Sequence, residues 1–262
     1  MDVHDAFRPD AIEKVKGNCL YAADYDMAGM LYIKTFWTEK IYAVVKSIDT
    51  AEAEAVPGVV RVITAKDIKG TNRANIFEPY DRPVLVEVGG KVEFAGDSLA
   101  LVVAETEEIA AEAVKKIHVA YEPYEGPFTM EDIQKMKKEP AMTEALKKGD
   151  VHKSMAEADV IVEEHFHIPM GEHAYIEPEC GVAYVDGSGI INLIFGTQNP
   201  ARHHRMLSKS LGLSNTDIRI ISPYVGGAFG GKHSISVQNH LVLAASVVRR
   251  PVKLVWTREE SF

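Results

Sequence analysis

Cysteine is scarce in this chain: Cys19 and Cys180 are the only two among 262 residues, and they form no C-x-x-C pair. A zinc or iron–sulfur centre held by four cysteines within the chain is therefore excluded. Clustered cations are also lacking, and the net charge of −9 argues against nucleic-acid binding, because phosphate contacts rely on grouped Lys and Arg. No apolar run approaches the roughly 20 residues of a membrane span. With no signal-peptide pattern at the N-terminus, we expect a cytoplasmic protein that does not bind membranes.

The first part of the chain alternates strand and helix signals. A hydrophobic content of 46% with 26% charged residues is typical of a globular protein. β-Branched and aromatic runs predict strands at 31–34, 42–48, 59–64, 99–104 and 117–121. Helix formers after plausible capping residues predict helices at 49–55 and 106–116. Residues 1–125 are therefore expected to form one compact α+β domain.

The second part of the chain follows a segment of different character. Residues 126–150 are rich in Lys, Glu, Met and Pro, and we interpret them as a linker. From residue 151 to 262 the patterns predict a second domain. Its expected strands are 158–168, 181–185, 190–195, 218–221 and 252–256, and its expected helices are 202–211 and 236–249. The overall fold class is α+β.

A glycine-rich loop lies between a predicted strand and a predicted helix. It reads Val225-Gly-Gly-Ala-Phe-Gly-Gly-Lys-His233. A loop of this kind before a helix can present backbone N–H groups to an anion. A tight turn that only permits close packing is the simpler alternative. A P-loop is a third, since the spacing to Lys232 fits G-x-x-x-x-G-K, but His233 stands where Mg²⁺ needs a Ser or Thr hydroxyl, and no Walker-B strand follows.

The loop closely resembles the G-G-x-F-G-x-K loop of the molybdenum hydroxylases, the xanthine dehydrogenase/aldehyde oxidase family. Other stretches resemble the same family in the same order: T-Q-N-P at 197–200, H-A-Y-I-E-P at 173–178, R-P-V-K at 250–253 and T-R-E-E at 257–260. Upstream, V-V-A-E-T at 102–106 and V-A-Y-E-P at 119–123 resemble its hammerhead domain. The resemblance implies a hammerhead-like α/β domain followed by the first part of a molybdopterin-binding domain.

The resemblance also implies roles for particular residues. Gln198 would hydrogen-bond an oxo ligand of molybdenum, and Phe229 would line the substrate channel, so these are the expected catalytic residues. The residues expected to lie against the cofactor are Gln198, Gly227, Ala228, Phe229 and Gly230. His233 stands where xanthine-oxidising members carry a glutamate that binds the purine, which implies a pocket for a different substrate. Glu177 could act as a general acid or base, but the resemblance gives it a structural or pocket-wall role.

Histidines outside the loop are not expected to hold a metal. His165 and His167 lie on one face of a predicted strand, and histidines two apart can bind zinc. No cysteine or carboxylate at regular spacing completes such a site with them and His173. The pair His203–His204 is expected to be partly buried on its helix.

The cofactor implied by the resemblance is molybdenum bound by molybdopterin, with the cytosine dinucleotide form as one option. The implied reaction is the hydroxylation of a heteroaromatic (purine-like) or aldehyde substrate with water as oxygen source. Iron–sulfur clusters and FAD are expected on partner chains. The family's base glutamate and its later pterin-binding segments have no match here, so we expect a further molybdopterin-binding polypeptide, or a truncated chain. The alternative is a catalytically incompetent fragment or an assembly subunit.

Overall fold

The fold is α+β, as the sequence predicts, and the computed structural model describes residues 8–74, 82–140 and 143–262. The strands are β1 (Leu31–Trp37), β2 (Ala43–Asp49), β3 (Val59–Thr64), β4 (Lys91–Val92), β5 (Ser98–Ala104), β6 (His118–Pro123), β7 (Cys180–Val185), β8 (Ile191–Phe195), β9 (Ile218–Ile221) and β10 (Val252–Val255). The helices are α1 (Ala11–Val15), α2 (Ala51–Glu54), α3 (Glu107–Val114), α4 (Met130–Lys135), α5 (Val151–Ala156), α6 (Pro200–Leu211), α7 (Val237–Val248) and α8 (Arg258–Ser261).

A single large sheet joins strands from both ends of the chain. In the described residues it has seven strands in the order β3-β5-β1-β10-β7-β8-β9. The link is the parallel pairing of β1 with β10, where Leu31 is opposite Val252 and Tyr32 is opposite Lys253. No local pattern in the sequence predicts this pairing. A smaller antiparallel sheet has the order β4-β2-β6.

Strand β5 and helix α3 show how local sequence produces the first half of the fold. Every residue of β5 is buried, which explains why it reads as a continuous apolar run rather than an alternating one. The hydroxyl of Thr106 then caps α3 by accepting from the Ile109 N–H. This cap satisfies one of the donors that a helix start leaves without a partner. The predicted strand and capped helix are both confirmed.

Two helices cover the second half of the large sheet. Helix α7 packs against β7, β8 and β10, and α6 packs against α7 and β9. Every residue of α7 from Val237 to Ala245 is buried. Helix α6 ends at Leu211 and is capped by Gly212, whose φ of 70° is the left-handed conformation that glycine adopts without strain. The predicted hairpin around Asp186 is also present, with β7 and β8 pairing antiparallel.

The strand predicted at 158–168 is absent, and that prediction is wrong. Residues 158–172 contain no strand or helix, and their apolar side chains are exposed, including Val160, Phe166 and Ile168. Alternating polarity favours a strand only where a neighbouring strand completes its backbone hydrogen bonds. In the described part of the chain no strand pairs with this segment. The alternation of polarity is therefore present without the structure that it usually indicates.

Residues 127–172 form a compact unit of their own. Helix α4 is capped by the Thr129 hydroxyl, which accepts from the Asp132 N–H, and α5 by the Asp150 carboxylate, which accepts from the Lys153 N–H. The longest helices in the described residues, α6 and α7, have 12 residues each. None of the described helices is long and apolar enough to cross a membrane.

Close approach of Gly70 to the end of α6 provides a test of the packing. A Cβ on Gly70 would lie 2.2 Å from the Gly212 nitrogen, a backbone atom that cannot move aside alone. Gly70→Ala is therefore expected to lower the free energy of unfolding by about 1–3 kcal/mol, as overpacking does. Gly187→Ala is the matched control, since its Cβ would meet nothing within 4 Å. Urea denaturation that shows equal stability for both variants would contradict this close packing.

A buried histidine connects helix α7 to strands β1 and β5. His240 of α7 is 4% exposed, and its ring nitrogens lie 3.4 Å from the Thr35 hydroxyl and 3.3 Å from the Ser98 hydroxyl. Burial lowers the pKa of His240 from 6.5 to about 4, because the charged ring would lose its hydration. The ring is therefore neutral in the folded protein at neutral pH.

We expect this histidine to make stability depend on pH. Below pH 6.5 the unfolded chain takes up a proton that folded His240 does not bind until about pH 4. Stability is therefore fully present above pH 6.5 and falls with acidification, by up to about 1.4 kcal/mol per pH unit. Denaturation measured between pH 5 and 7 is expected to show a shallower slope for His240→Gln than for the wild type. The control His118→Gln alters an exposed ring on β6 and is expected to keep the wild-type slope.

Candidate functional site

Four chain segments meet at one edge of the large sheet. Strands β8 and β9 are parallel, so their carboxyl ends lie at the same edge and lead into residues 196–199 and 222–233. Strand β7 runs the opposite way, and its start lies beside the end of β8 through the pair Gly181 and Phe195. The end of β10 reaches the same edge, where Val255 is opposite Cys180. Ligands bind outside the carboxyl ends of strands in many open α/β sheets.

The glycine-rich loop takes a backbone path that few residue types allow. The φ angles of Gly227, Phe229 and Gly230 are 103°, 48° and 102°. Positive φ is ordinary for glycine, but for a phenylalanine it is uncommon and strained. A hydrogen bond of 2.8 Å from the Gly231 N–H to the Ala228 carbonyl closes the turn. The loop then enters a short 3₁₀ turn, Gly231–His233, and α7 begins only at Val237.

Gln198 is held against the loop by its backbone and by one end of its side chain. Its N–H donates to the Lys232 carbonyl at 3.2 Å, and its Oε1 accepts from the Gly230 N–H at 3.1 Å. The next residue, Asn199, caps α6 by accepting from the Arg202 N–H. The side chain of Gln198 is exposed. Because the carbonyl end is engaged by the loop, the NH₂ end is the part that remains to donate to a ligand.

Three consecutive N–H groups of the loop have no hydrogen-bond partner among the described residues. In the part that the structure describes, the N–H groups of Gly227, Ala228 and Phe229 make no hydrogen bond, whereas those of Gly226 and Gly230 donate to side chains. Successive backbone donors in a turn form a concavity that attracts anions. Together with the Gln198 NH₂ group, they suit a bound group with negative charge and several acceptor atoms.

The two residues predicted to face the substrate both belong to this loop. Phe229 is 77% exposed, so its ring is presented to solvent rather than to the core. His233 is partly exposed, while its backbone is fixed at both ends. Its N–H donates to the Gly230 carbonyl at 3.1 Å, and its carbonyl oxygen lies 2.9 Å from the His203 Nε2. The structure thus brings Phe229 and His233 together with Gln198 at one edge of the sheet.

His203 supports the site from inside, and its predicted partial burial is wrong. The side chain is fully buried, with Nδ1 2.9 Å from the Thr197 hydroxyl and Nε2 on the His233 carbonyl. Burial lowers the pKa of His203, which favours the neutral ring. The signal that could have revealed this was its spacing, because His203, Leu207 and Leu211 lie four apart on the buried face of α6.

A buried ion pair lies directly beneath the loop. The Lys232 ammonium lies 2.5 Å from the Glu177 carboxylate, and the two side chains are 4% and 9% exposed. Glu177 also accepts from the Gly226 N–H at 2.9 Å. The geometry disfavours the P-loop alternative, in which the lysine must reach phosphates outside the loop. Next to this pair, burial and the nearby Glu177 charge raise the pKa of Cys180 to about 12, which makes its thiol unreactive.

Among the three remaining histidines, only His173 belongs to the same unit as the loop. His165 and His167 are exposed and belong to the unit of residues 127–172. His173 belongs to the other unit, where a Cβ on Gly230 would lie 3.5 Å from its Nε2. Among the described residues, no group of three or more His, Cys, Asp or Glu side chains is arranged to hold a metal ion.

Comparison with known proteins agrees with the fold. Residues 16–125 match the family model described as "Aldehyde oxidase and xanthine dehydrogenase, a/b hammerhead domain". Residues 133–262 match the model of the "Molybdopterin cofactor-binding domain". The chain therefore belongs to the molybdenum hydroxylase family of xanthine dehydrogenases and aldehyde oxidoreductases.

The chain is similar over almost its full length to individual dehydrogenases and to an oxidoreductase. The chain is 37% identical over 260 residues to the nicotinate dehydrogenase large molybdopterin subunit of Eubacterium barkeri, covering 96% of this chain and 60% of that subunit. It is 36% identical over 261 residues to a probable xanthine dehydrogenase subunit of Bacillus subtilis, covering 97% of this chain and 35% of the relative. The solved aldehyde oxidoreductase of Desulfovibrio gigas superimposes with a TM-score of 0.86 at 30% identity, over 97% of this chain and 30% of that enzyme. The chain thus spans between 30% and 60% of the length of these relatives.

The positive φ of Phe229 makes a testable contribution to stability. Phe229→Gly and Phe229→Ala both remove an exposed ring, but only glycine relieves the backbone. We expect Phe229→Gly to be more stable to unfolding than Phe229→Ala by about 1 kcal/mol. Phe166 provides the matched pair, because it is 82% exposed and its φ is not positive. If denaturation finds glycine no better than alanine at position 229, the loop is not strained there.

Proposed function

We propose that this chain is part of the molybdenum-cofactor subunit of a multi-subunit hydroxylase that oxidises a heteroaromatic (purine-like) or aldehyde substrate with water as the oxygen source. The observation that carries the proposal is the donor set at the sheet edge, formed by the Gln198 NH₂ group and the three N–H groups of the loop. Membership of the family supports it, as do the names of relatives, which include nicotinate and xanthine dehydrogenases.

The residues at the edge fit an anionic, acceptor-rich cofactor. Gly227, Ala228, Phe229 and Gly230 would line it with backbone, three of whose N–H groups are available, and Gln198 would donate to an acceptor atom from its neutral amide. A neutral donor orients such a group without adding charge. When bound, the molybdenum–molybdopterin group, whether or not in the cytosine dinucleotide form, would supply the two-electron oxidation of the substrate. The protein contributes position and hydrogen bonds.

Phe229 and His233 would act on the substrate. The exposed ring of Phe229 offers an aromatic face on which a flat substrate can stack. The imidazole of His233 can both donate and accept hydrogen bonds, unlike the carboxylate that xanthine-oxidising relatives are expected to carry there. We therefore propose a substrate whose recognised atom differs from that of xanthine. Substrate and cofactor would then meet between the loop and Gln198.

The wider organisation follows from the same proposal. Residues 1–125 would form the hammerhead domain, 126–150 a linker and 151–262 part of the molybdopterin-binding domain. A further molybdopterin-binding polypeptide would supply the family's base glutamate, which nothing in this chain matches. Iron–sulfur and FAD subunits would carry electrons away. The support for these partners is that the chain spans only 60% and 35% of two relatives named as subunits.

An assembly or scaffold role is the second candidate, because the chain covers so little of its relatives. Molybdenum and pterin analysis of the chain purified with its co-expressed neighbouring gene products separates the two. Stoichiometric molybdenum and pterin are expected from the hydroxylase proposal. A stable complex that contains neither would exclude the hydroxylase proposal and leave the scaffold.

Replacement of Gln198 tests the donor directly. In the assembled enzyme, Gln198→Ala is expected to lower kcat by about 10–100-fold, the cost of one hydrogen bond to a charged group. Molybdenum content and thermal stability are expected to remain, since the side chain is exposed. Gln134→Ala is the matched control, because Gln134 is an exposed glutamine on α4. Equal turnover for the two variants would remove Gln198 from the site.

A further inference from the structure

The buried pair of Glu177 and Lys232 contacts both ends of the glycine-rich loop. Glu177 Oε2 accepts from the Gly226 N–H at 2.9 Å, and the Glu177 N–H donates to the Gly226 carbonyl at 3.1 Å. The same Oε2 lies 2.5 Å from the ammonium of Lys232. One carboxylate therefore holds the first glycine of the loop and the lysine that ends it. The three available N–H groups lie between these two points.

The pair is connected to Gln198 through the backbone. The Lys232 carbonyl accepts the Gln198 N–H at 3.2 Å, while the Lys232 side chain points to Glu177. Gly196, which leads into the Gln198 segment, also lies close, since a Cβ there would come within 3.1 Å of Glu177 Oε2. A shift of Lys232 would therefore move the backbone that carries Gln198. Lys232 alone therefore connects the ion pair to Gln198, because its side chain contacts Glu177 and its carbonyl binds the Gln198 N–H.

Tyr175 explains why the loop must be rich in glycine. A Cβ on Gly231 would lie 2.5 Å from the Tyr175 ring, and one on Gly227 would lie 3.0 Å from the Tyr175 Cβ. The ring also lies beneath Lys232, whose ammonium is 4.8 Å from its centroid. Tyr175 is 3% exposed, so an outward movement of its side chain would break its buried contacts. The segment that carries Tyr175 and Glu177 thus forms the surface on which the loop is packed.

We infer that Glu177 and Lys232 are positioning residues, which together set the path of the loop and with it the orientation of Gln198 and the N–H groups. This inference rests on the proposed function only for the identity of the group that the loop binds. Glu177 has no part in proton transfer, because its carboxylate is buried and occupied by Gly226 and Lys232. A buried charge that loses its partner is strongly unfavourable, so removing either residue releases the loop from this path.

A fluorine label on the loop tests this inference without any cofactor. 4-Fluorophenylalanine at position 229 of the full chain reports the loop through its ¹⁹F resonance. The variants are Glu177→Gln, which keeps an acceptor for Gly226 but loses the charge, Lys232→Met, and the double variant. We expect each single variant to shift or broaden the resonance. Because both act through one pair, the double variant is expected to change the resonance about as much as either single variant does.

A surface pair provides the matched control. Lys46 and Glu122 lie 2.6 Å apart with side chains 56% and 63% exposed, and Glu122→Gln is expected to leave the resonance unchanged. An unshifted resonance in Glu177→Gln, or a double variant whose change equals the sum of the singles, overturns the inference. If the single variants fail to fold, the double variant decides, since it buries no unpaired charge. A folded double variant with the wild-type resonance would show that the pair does not set the loop.

The assembled enzyme distinguishes positioning from acid–base catalysis. Glu177→Gln is expected to lower kcat by about 10–100-fold through misplacement of the loop, with the shape of the pH–rate profile retained. Loss of one limb of that profile with an unchanged ¹⁹F resonance would make Glu177 an acid or base and overturn the inference. Different results would contradict the proposed function and the positioning role of Glu177 and Lys232. Absence of molybdenum from the complex would exclude the proposed function, whereas the ¹⁹F result bears only on the loop.

Discussion

The parallel pairing of β1 with β10 is the constraint from which the rest of the larger unit follows. It joins strands formed near the start of the chain to strands formed near its end, and the Leu31 N–H completes the junction by donating to the Pro251 carbonyl at 2.8 Å. One core then runs through both halves, with Leu31, Leu101 and Leu254 in the same cluster. Helix α7 contacts β3 and β5 of one half and β7, β8 and β10 of the other, so the two halves share one apolar core.

The directions of the strands bring the parts of the site together at one edge of the sheet. Since β8 and β9 run one way and β7 the other, the end of two strands and the start of a third coincide at one edge, and each contributes a different chemical part. The segment before β7 provides a buried carboxylate, the one after β8 an amide, and the one after β9 a strained backbone with available donors. The buried His203 ties the second of these to the third. The site is thus built from main-chain geometry supported by side chains that do not reach the surface.

Local features of this fold could be predicted from the sequence, whereas its long-range features could not. The apolar run of β5, the cap at Thr106 and the glycine at the end of α6 each act within a few residues, so their patterns suffice. The glycine-rich loop and Gln198 are recognisable through their resemblance to a family. No local sequence pattern predicts the β1–β10 pairing. The segment 158–168 has the polarity pattern of a strand but no partner strand in the described part of the chain. The burial of His203 escapes prediction because histidine is usually taken as polar, although its spacing on α6 marks a core position.

The contact between Tyr175 and the loop has a consequence for protein engineering. The shape of the loop is not encoded in its own glycines alone, because those glycines are the complement of a ring carried by a distant part of the chain. A graft of residues 225–233 into another scaffold would transfer the flexible glycines but not the Tyr175 side chain against which they pack. The transferable module is the loop together with the segment from His173 to Glu179, and divergence of one would require compensating change in the other.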